Sequence, residues 1–164
     1  MTQPEKAHTA LEGIRVIDLG VLVQAPQAAQ LLSDFGADVI EVELPQLGDQ
    51  ARWIPISLED LRAPFFVGCN RGKRSISLDM KHPQALNIFR RLVERADVVV
   101  ENFSAGVLDR WGIGYETANT WNDQVTYLSM AGAGQDGPWR DFVTFAPTVH
   151  ALCGLTYLTN PPGR

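Results

Sequence analysis

The sequence predicts an α/β fold with a mostly parallel sheet and flanking helices, and three observations carry that prediction. Ile14-Arg15-Val16-Ile17-Asp18-Leu19 and Val98-Val99-Val100 read as strands crowded with apolar residues, as strands covered by helices on both faces require. Stretches of helical periodicity lie between the strand-like runs, clearest over 83–96. The connections are mostly short and punctuated by glycine and proline.

The elements follow in order. After the first strand, Gly20 to Gln24 forms a turn, and Pro26 falls where the first turn of a helix tolerates a missing N–H. Ala28, Leu31, Leu32 and Phe35 recur at helical spacing, and Gly36 follows as a C-terminal cap. Ala37 to Glu43 is a second strand, which completes a β-α-β unit. Leu44 to Pro64 is broken by Pro45, Gly48, Pro55 and Pro64 and reads as a long irregular loop, a length that usually serves a function. Phe65-Phe66-Val67 leads into a basic stretch and an alternating strand that places Ile76 and Leu78 on one face. In Pro83 to Ala96 the residues Ala85, Leu86, Ile88, Phe89, Leu92, Val93 and Ala96 form one apolar stripe, with the arginines on a solvated face. Short helices around Gly112 and Gly114, a strand over Val125 to Met130, and an apolar helical segment from Phe142 to Leu158 complete the chain.

Composition narrows the class. At 164 residues the chain fits one domain with a real core, and its net charge of −5 argues against nucleic acid and membrane surfaces as partners. Cys69 and Cys153 have neither metal-ligand spacing nor a disulfide framework, and His8, His82 and His150 do not add one, so no metal is expected. The start of the sequence, Met1 to Thr9, lacks the apolar core of a signal peptide, and no apolar run approaches a membrane span. A cytoplasmic protein with reduced thiols is the expectation.

Against this acidic background one basic cluster stands out. Arg71, Lys73 and Arg74 fall within four positions inside Cys69 to Asp79. Spacing alone leaves a solvated turn and an anion-binding loop equally open. A cation beside Cys69 is expected to lower that thiol's pKa, although no histidine flanks it in sequence to make it a nucleophile. The run Gly132 to Gly137 has the form G-x-G-x-x-G, but Pro138 and Trp139 follow where a helix should open and no acidic residue lies about twenty positions on, so a tight turn is favoured. Gly68 to Arg74 lacks the spacing and the hydroxyl of a phosphate-binding P-loop. His150, in an apolar segment, reads as a hydrogen-bonded core residue, and the four tryptophans read mostly as packing. Ligands of a parallel sheet gather outside the carboxyl ends of its strands, which nominates 21–24, 44–48, 102–106 and 131–137.

Several blocks together resemble the family III CoA-transferases, the group of formyl-CoA transferase, carnitine CoA-transferase and α-methylacyl-CoA racemase. They are Leu11 to Leu19, Phe35 to Glu43, Asn70 to Asp79, Ala96 to Phe103 and the Gly134 to Arg140 run, in the family's order and spacing. The resemblance implies a Rossmann-like, incomplete large domain, with residues 1–164 as the N-terminal part and the small domain and C-terminal return absent. It implies coenzyme A or an acyl-CoA as substrate, with no metal, and a carboxylic acid as acceptor. It places the CoA contacts on Val23 and Gln24, on Cys69, Asn70, Arg71 and Gly72 at the adenine and phosphate end, and on Asn102, Phe103 and Arg110. The family's transferases pass through an acyl-aspartyl intermediate. Their aspartate matches a position beyond Arg164, so this chain alone is expected to be inactive, as a truncated or split enzyme. A homodimer or a complementing C-terminal chain is the implied partner. A non-catalytic CoA-binding module, and part of an acyl-CoA racemase or CoA-linked lyase, are the alternatives. Phe145 and Ala146 stand where the racemase has its histidine and a neighbouring acid, which disfavours racemisation. Leu44 stands where many members carry an arginine near the CoA phosphates, which implies either weaker binding or a contact passed to Arg52 or Arg71.

Overall fold

The computed structural model describes residues 9–54 and 63–161. His8, the middle of the loop between Leu44 and Pro64, and the Pro162-Gly163 turn fall outside the described residues.

Five strands form one sheet: β1 Arg15–Asp18, β2 Asp38–Glu43, β3 Arg74–Ser77, β4 Val98–Glu101 and β5 Thr126–Ser129. Every pairing is parallel, and the order is β3-β2-β1-β4-β5. Parallel neighbours require crossovers, and the helices supply them. α1 (Gln24–Asp34) joins β1 to β2, α2 (Pro64–Asn70) precedes β3, and α3 (Ala85–Val93) joins β3 to β4. Two short helices, α4 (Val107–Arg110) and α5 (Tyr115–Trp121), join β4 to β5.

Alternation along β1 divides the core. Ile17 joins Phe89, Val93, Val99 and Ile113 on the α3 side, whereas Val16 joins Ala25, Ala29, Val39 and Val100 on the α1 side. The register matches this, with Val16 opposite Val39 and Ile17 opposite Val99. A slip of one residue would turn both sets to the wrong layer.

The structure alters several local expectations. α1 buries Ala25, Pro26, Ala29 and Gln30, while Leu31 and Phe35 are exposed. The small alanines let the helix lie close to the sheet, and this rotates the larger apolar residues outward. Along α3 the buried face is Ala85, Phe89 and Val93, with Leu86 and Ile88 exposed, so the apolar stripe is narrower than its sequence suggests. Phe65 to Asn70 is a helix rather than a lead-in to the basic loop. The apolar C-terminal segment forms α6 (Ala146–Leu152) and α7 (Leu155–Thr159), with Pro147 in the first turn of α6. Neither helix has a buried residue, which leaves His150 exposed instead of in the core. Trp53 and Trp139 are exposed as well, and only Trp121 packs on the larger core cluster.

Candidate functional site

The strand order reverses between β1 and β4. β1 continues leftward to β2 and β3, and β4 continues rightward to β5, so the loops leaving β1 and β4 diverge and open a crevice at their carboxyl ends. Gly20 begins the β1 loop. A Cβ there would lie 2.5 Å from Pro26 Cδ and 2.7 Å from Ala25 Cβ, so only glycine lets the chain turn this closely into α1. Leu22 then takes a left-handed conformation with φ 66°. Such backbone persists where neighbours hold it, and here two side chains do. The Val21 N–H donates to Asn102 Oδ1 at 2.9 Å while Asn102 Nδ2 donates to the Val21 carbonyl at 2.9 Å. The Leu22 N–H donates to Asp49 Oδ1 at 3.0 Å. Val23 and Gln24 are left exposed at the lip of the crevice.

Glu101, the last residue of β4, supports the other lip. Its Oε2 accepts from the Phe103 N–H at 2.7 Å, and its Oε1 accepts from the Ser129 hydroxyl at the end of β5. Burial pushes this carboxyl up to about 7, although the Phe103 N–H works against the rise. The Phe103 ring meets Trp111 edge-on at 5.3 Å, which ties the loop to the end of α4. Arg110 is exposed at the last turn of α4. Beyond Glu101 a cleft of about 460 Å³ opens, lined among others by Ser104, Tyr127, Ser129, Gln135 and Arg140.

Val23, Gln24, Asn102, Phe103 and Arg110 therefore belong to the carboxyl end of the sheet. Cys69 and Asn70 end α2, and Asn70 Oδ1 accepts from Lys73, which reaches Asp18 at the carboxyl end of β1. Arg71 and Gly72, which precede β3, turn instead towards the end of α1. Arg71 Nη2 is 2.6 Å from Asp34 Oδ2 at the last residue of α1, and a Cβ on Gly72 would meet Ser33 Oγ at 2.5 Å. The basic cluster is likewise divided. Arg74 pairs with Asp38, which Arg15 also contacts, and Lys73 turns inward to Asp18. Arg52 is occupied by Glu43 through two hydrogen bonds and lies 3.5 Å from the Phe66 ring centroid, so it is not free to replace the arginine that Leu44 lacks. Cys69 is buried, and burial raises its pKa. The nearby Lys73 opposes this without overcoming it, so the thiolate anticipated from the neighbouring cations does not arise.

Lys81 is the cation that the sequence did not single out. It follows β3, past Leu78, at the carboxyl end of the strand, is exposed, and has no ion pair among the described residues. The available signal was topological, because residues just after a parallel strand face the ligand side. Beneath the crevice lies a buried layer of Asp18, Glu41, Glu43 and Asp49 with Lys73. Burial, with Glu43 as the next contributor, pushes Glu41 up to about 8. Glu43 falls to about 2 because hydrogen bonds from Arg52, Ser75 and the Asp49 N–H outweigh its burial. Among the described residues no helix is long and apolar enough to cross a membrane.

A parallel sheet with this order and this crevice defines an α/β domain of the doubly wound class, in which ligands gather outside the carboxyl ends of the strands at the switch point. The chain belongs to CoA-transferase family III, whose sequence model matches residues 11–164. It is 41% identical to the succinate–glutarate CoA-transferase of Agrobacterium fabrum over 168 aligned positions, covering 99% of this chain and 42% of that protein. It is 39% identical to the beta subunit of succinyl-CoA–L-malate CoA-transferase from Chloroflexus aurantiacus, covering 93% of this chain and 38% of that one. A crystal structure of a CAIB/BAIF family protein from Brucella suis superposes with a TM-score of 0.88 at 39% identity, covering 96% of this chain and 43% of the other. The chain thus spans about two fifths of the length of the relatives it matches.

Proposed function

We propose that this chain binds CoA in the β1–β4 crevice and forms the CoA-binding part of an enzyme that moves CoA from an acyl-CoA donor to a carboxylic acid. The observation that carries the reading is the double hydrogen bond between Asn102 and Val21. It preorganises the two loops that diverge at the switch point and leaves Val23, Gln24 and Phe103 beside them. Family membership supplies the chemistry of the ligand. Relatives named for succinate, glutarate and L-malate favour dicarboxylic acids and their CoA esters as the substrate class.

In this reading the transfer proceeds through an acyl-aspartyl intermediate, in which a carboxylate divides one acyl transfer into two easier displacements. The family resemblance puts that aspartate outside residues 1–164, so these residues hold and orient CoA while another segment or chain reacts. A relative made of alpha and beta subunits supports a complementing chain as one source, and a second copy is the other. Phe145 and Ala146, which cannot exchange protons, make α-proton exchange the weaker alternative.

Calorimetric titration with CoA tests the reading. One saturable site is expected, weakened about tenfold in Asn102→Ala through loss of the loop clasp. Absence of binding in the wild type would overturn it.

A further inference from the structure

Two arginines far apart in sequence converge on one glycine in the cleft beyond Glu101. Gly106 precedes α4 with φ 72°, and a Cβ placed on it would lie 3.4 Å from Arg110 Nη1 and 3.5 Å from Arg140 Nη2. Arg110 ends α4, whereas Arg140 comes from the turn that follows β5 and the glycine run. Two guanidiniums repel each other, and among the described residues no carboxylate accepts from both. The Arg110 side chain has no hydrogen bond or ion pair among the described residues. Arg140 Nε has only a loose approach of 3.7 Å to Asp141 Oδ1, whose side chain is 91% exposed. Asp109 Oδ2 lies 4.0 Å from the same point, and its other oxygen is turned over Gly114. The polar cleft continues from there past Ser104 and Gln135.

We propose that Arg140 acts with Arg110 as a two-guanidinium clamp for a phosphate group of the bound CoA, above the bare backbone of Gly106. This rests on the CoA reading given above and adds Arg140 to the site. The physical case is one of charge and room. A phosphate dianion between the two side chains replaces their mutual repulsion with charge-assisted hydrogen bonds, which are shorter and about twice as strong as neutral ones. Guanidinium forks suit tetrahedral oxyanions better than point charges do. A side chain at position 106 would occupy the point where the two arginines meet. CoA offers two such groups, the 3′-phosphate and the diphosphate, and both share this chemistry.

The test compares the wild type, Arg140→Ala and Arg140→Lys by calorimetry with CoA, with dephospho-CoA (which lacks the 3′-phosphate) and with inorganic diphosphate. Arg140 is exposed, so the substitutions do not disturb the core. Arg140→Ala is expected to weaken CoA binding about tenfold or more and to flatten its salt dependence, with Arg140→Lys recovering part of the loss. If the loss is confined to CoA and absent with dephospho-CoA, the clamp holds the 3′-phosphate. If it appears with both, the clamp holds the diphosphate. Equal affinity of wild type and Arg140→Ala for CoA, in a protein that does bind CoA, would overturn the clamp and leave the CoA reading standing. If the wild type binds no CoA yet binds diphosphate through Arg140, the CoA reading falls and the anion site stands. If it binds neither, both fall.

Discussion

Lys73 Nζ lies 2.6 Å from Asp18 Oδ2, and both side chains are closed to solvent. Asn70 Oδ1 accepts a second hydrogen bond from the ammonium, and the Gly20 N–H donates to the other oxygen of Asp18. Burial raises the Asp18 pKa, and the Lys73 charge is what chiefly opposes it. A buried charge is tolerated only when paired, so removing one partner leaves the other exposed to the full cost of desolvation. Lys73→Met is predicted to destabilise the fold by about 3–5 kcal/mol, and adding Asp18→Leu should recover most of that loss. Urea denaturation of the two variants checks this. A single variant as stable as the wild type would show that the pair does not hold β1 to the β3 approach.

That pair also shows where the sequence was legible and where it was not. Strand runs such as Val98-Val99-Val100 announce buried parallel strands because both of their faces are apolar. The β1, α1, β2, β3 and β4 elements accordingly fall where periodicity puts them, and the family resemblance points to the same sheet. Three cations in four positions, by contrast, do not reveal which of them turns inward. Lys73 finds Asp18 fifty-five residues away, Arg74 finds Asp38 and Arg71 finds Asp34. Pairing over such separations depends on strand order, which a linear pattern does not contain. The same limit explains why Asn102 and the 21–24 segment were both legible as ligand-side while the hydrogen bonds between Asn102 and Val21 were not. Helical spacing likewise does not tell which face of α1 meets the sheet, and Leu31 and Phe35 face outward because Ala25 and Ala29 take the buried side.

Strand direction separates the candidate CoA contacts in a testable way. Arg71 precedes β3 and is held by Asp34, whereas Lys81 follows β3 at the ligand side with no ion pair among the described residues. Lys81→Ala is therefore predicted to weaken CoA binding by about tenfold at low salt, with the difference shrinking as salt rises. Arg71→Ala should change affinity less than about twofold, because its charge is already satisfied away from the crevice. Titration of both variants with CoA decides between the two cations, and the reverse order of effects would return the basic loop before β3 to the site.

Glu41 is 2% exposed, and its Oε1 has no hydrogen-bond partner among the described residues. Its pKa of about 8 in the folded chain exceeds the ordinary 4.5, so the folded state holds the proton more tightly than the unfolded state does. Stability attributable to this group therefore falls as pH rises from the unfolded value towards about 8, and levels off above it. Glu41→Gln keeps the shape and removes the ionisation. The variant is predicted to match the wild type near pH 5 and to exceed it at pH 8 by on the order of 1–3 kcal/mol. Thermal unfolding across that range checks the sign. A gap that widens towards acid would contradict it.

The last prediction concerns α6 and α7, which contact each other while presenting large apolar residues to solvent. Phe145 is 66% exposed, Leu152 58%, Tyr157 83% and Leu158 77%. Contiguous apolar surface of this kind drives association in water, since covering it releases about 25 cal/mol per Å². The 164-residue chain is accordingly predicted to self-associate or aggregate as its concentration rises. Replacing Phe145 with Ser and Leu152 and Leu158 with Gln should shift it towards monomer. Because none of the three is buried, the substitutions should leave unfolding stability within about 0.5 kcal/mol each. Size-exclusion chromatography with light scattering reads the first effect and thermal unfolding the second. A wild-type chain that stays monomeric at every concentration would show that these helices need no cover. A large loss of stability in the triple variant would instead place them in the fold's own core.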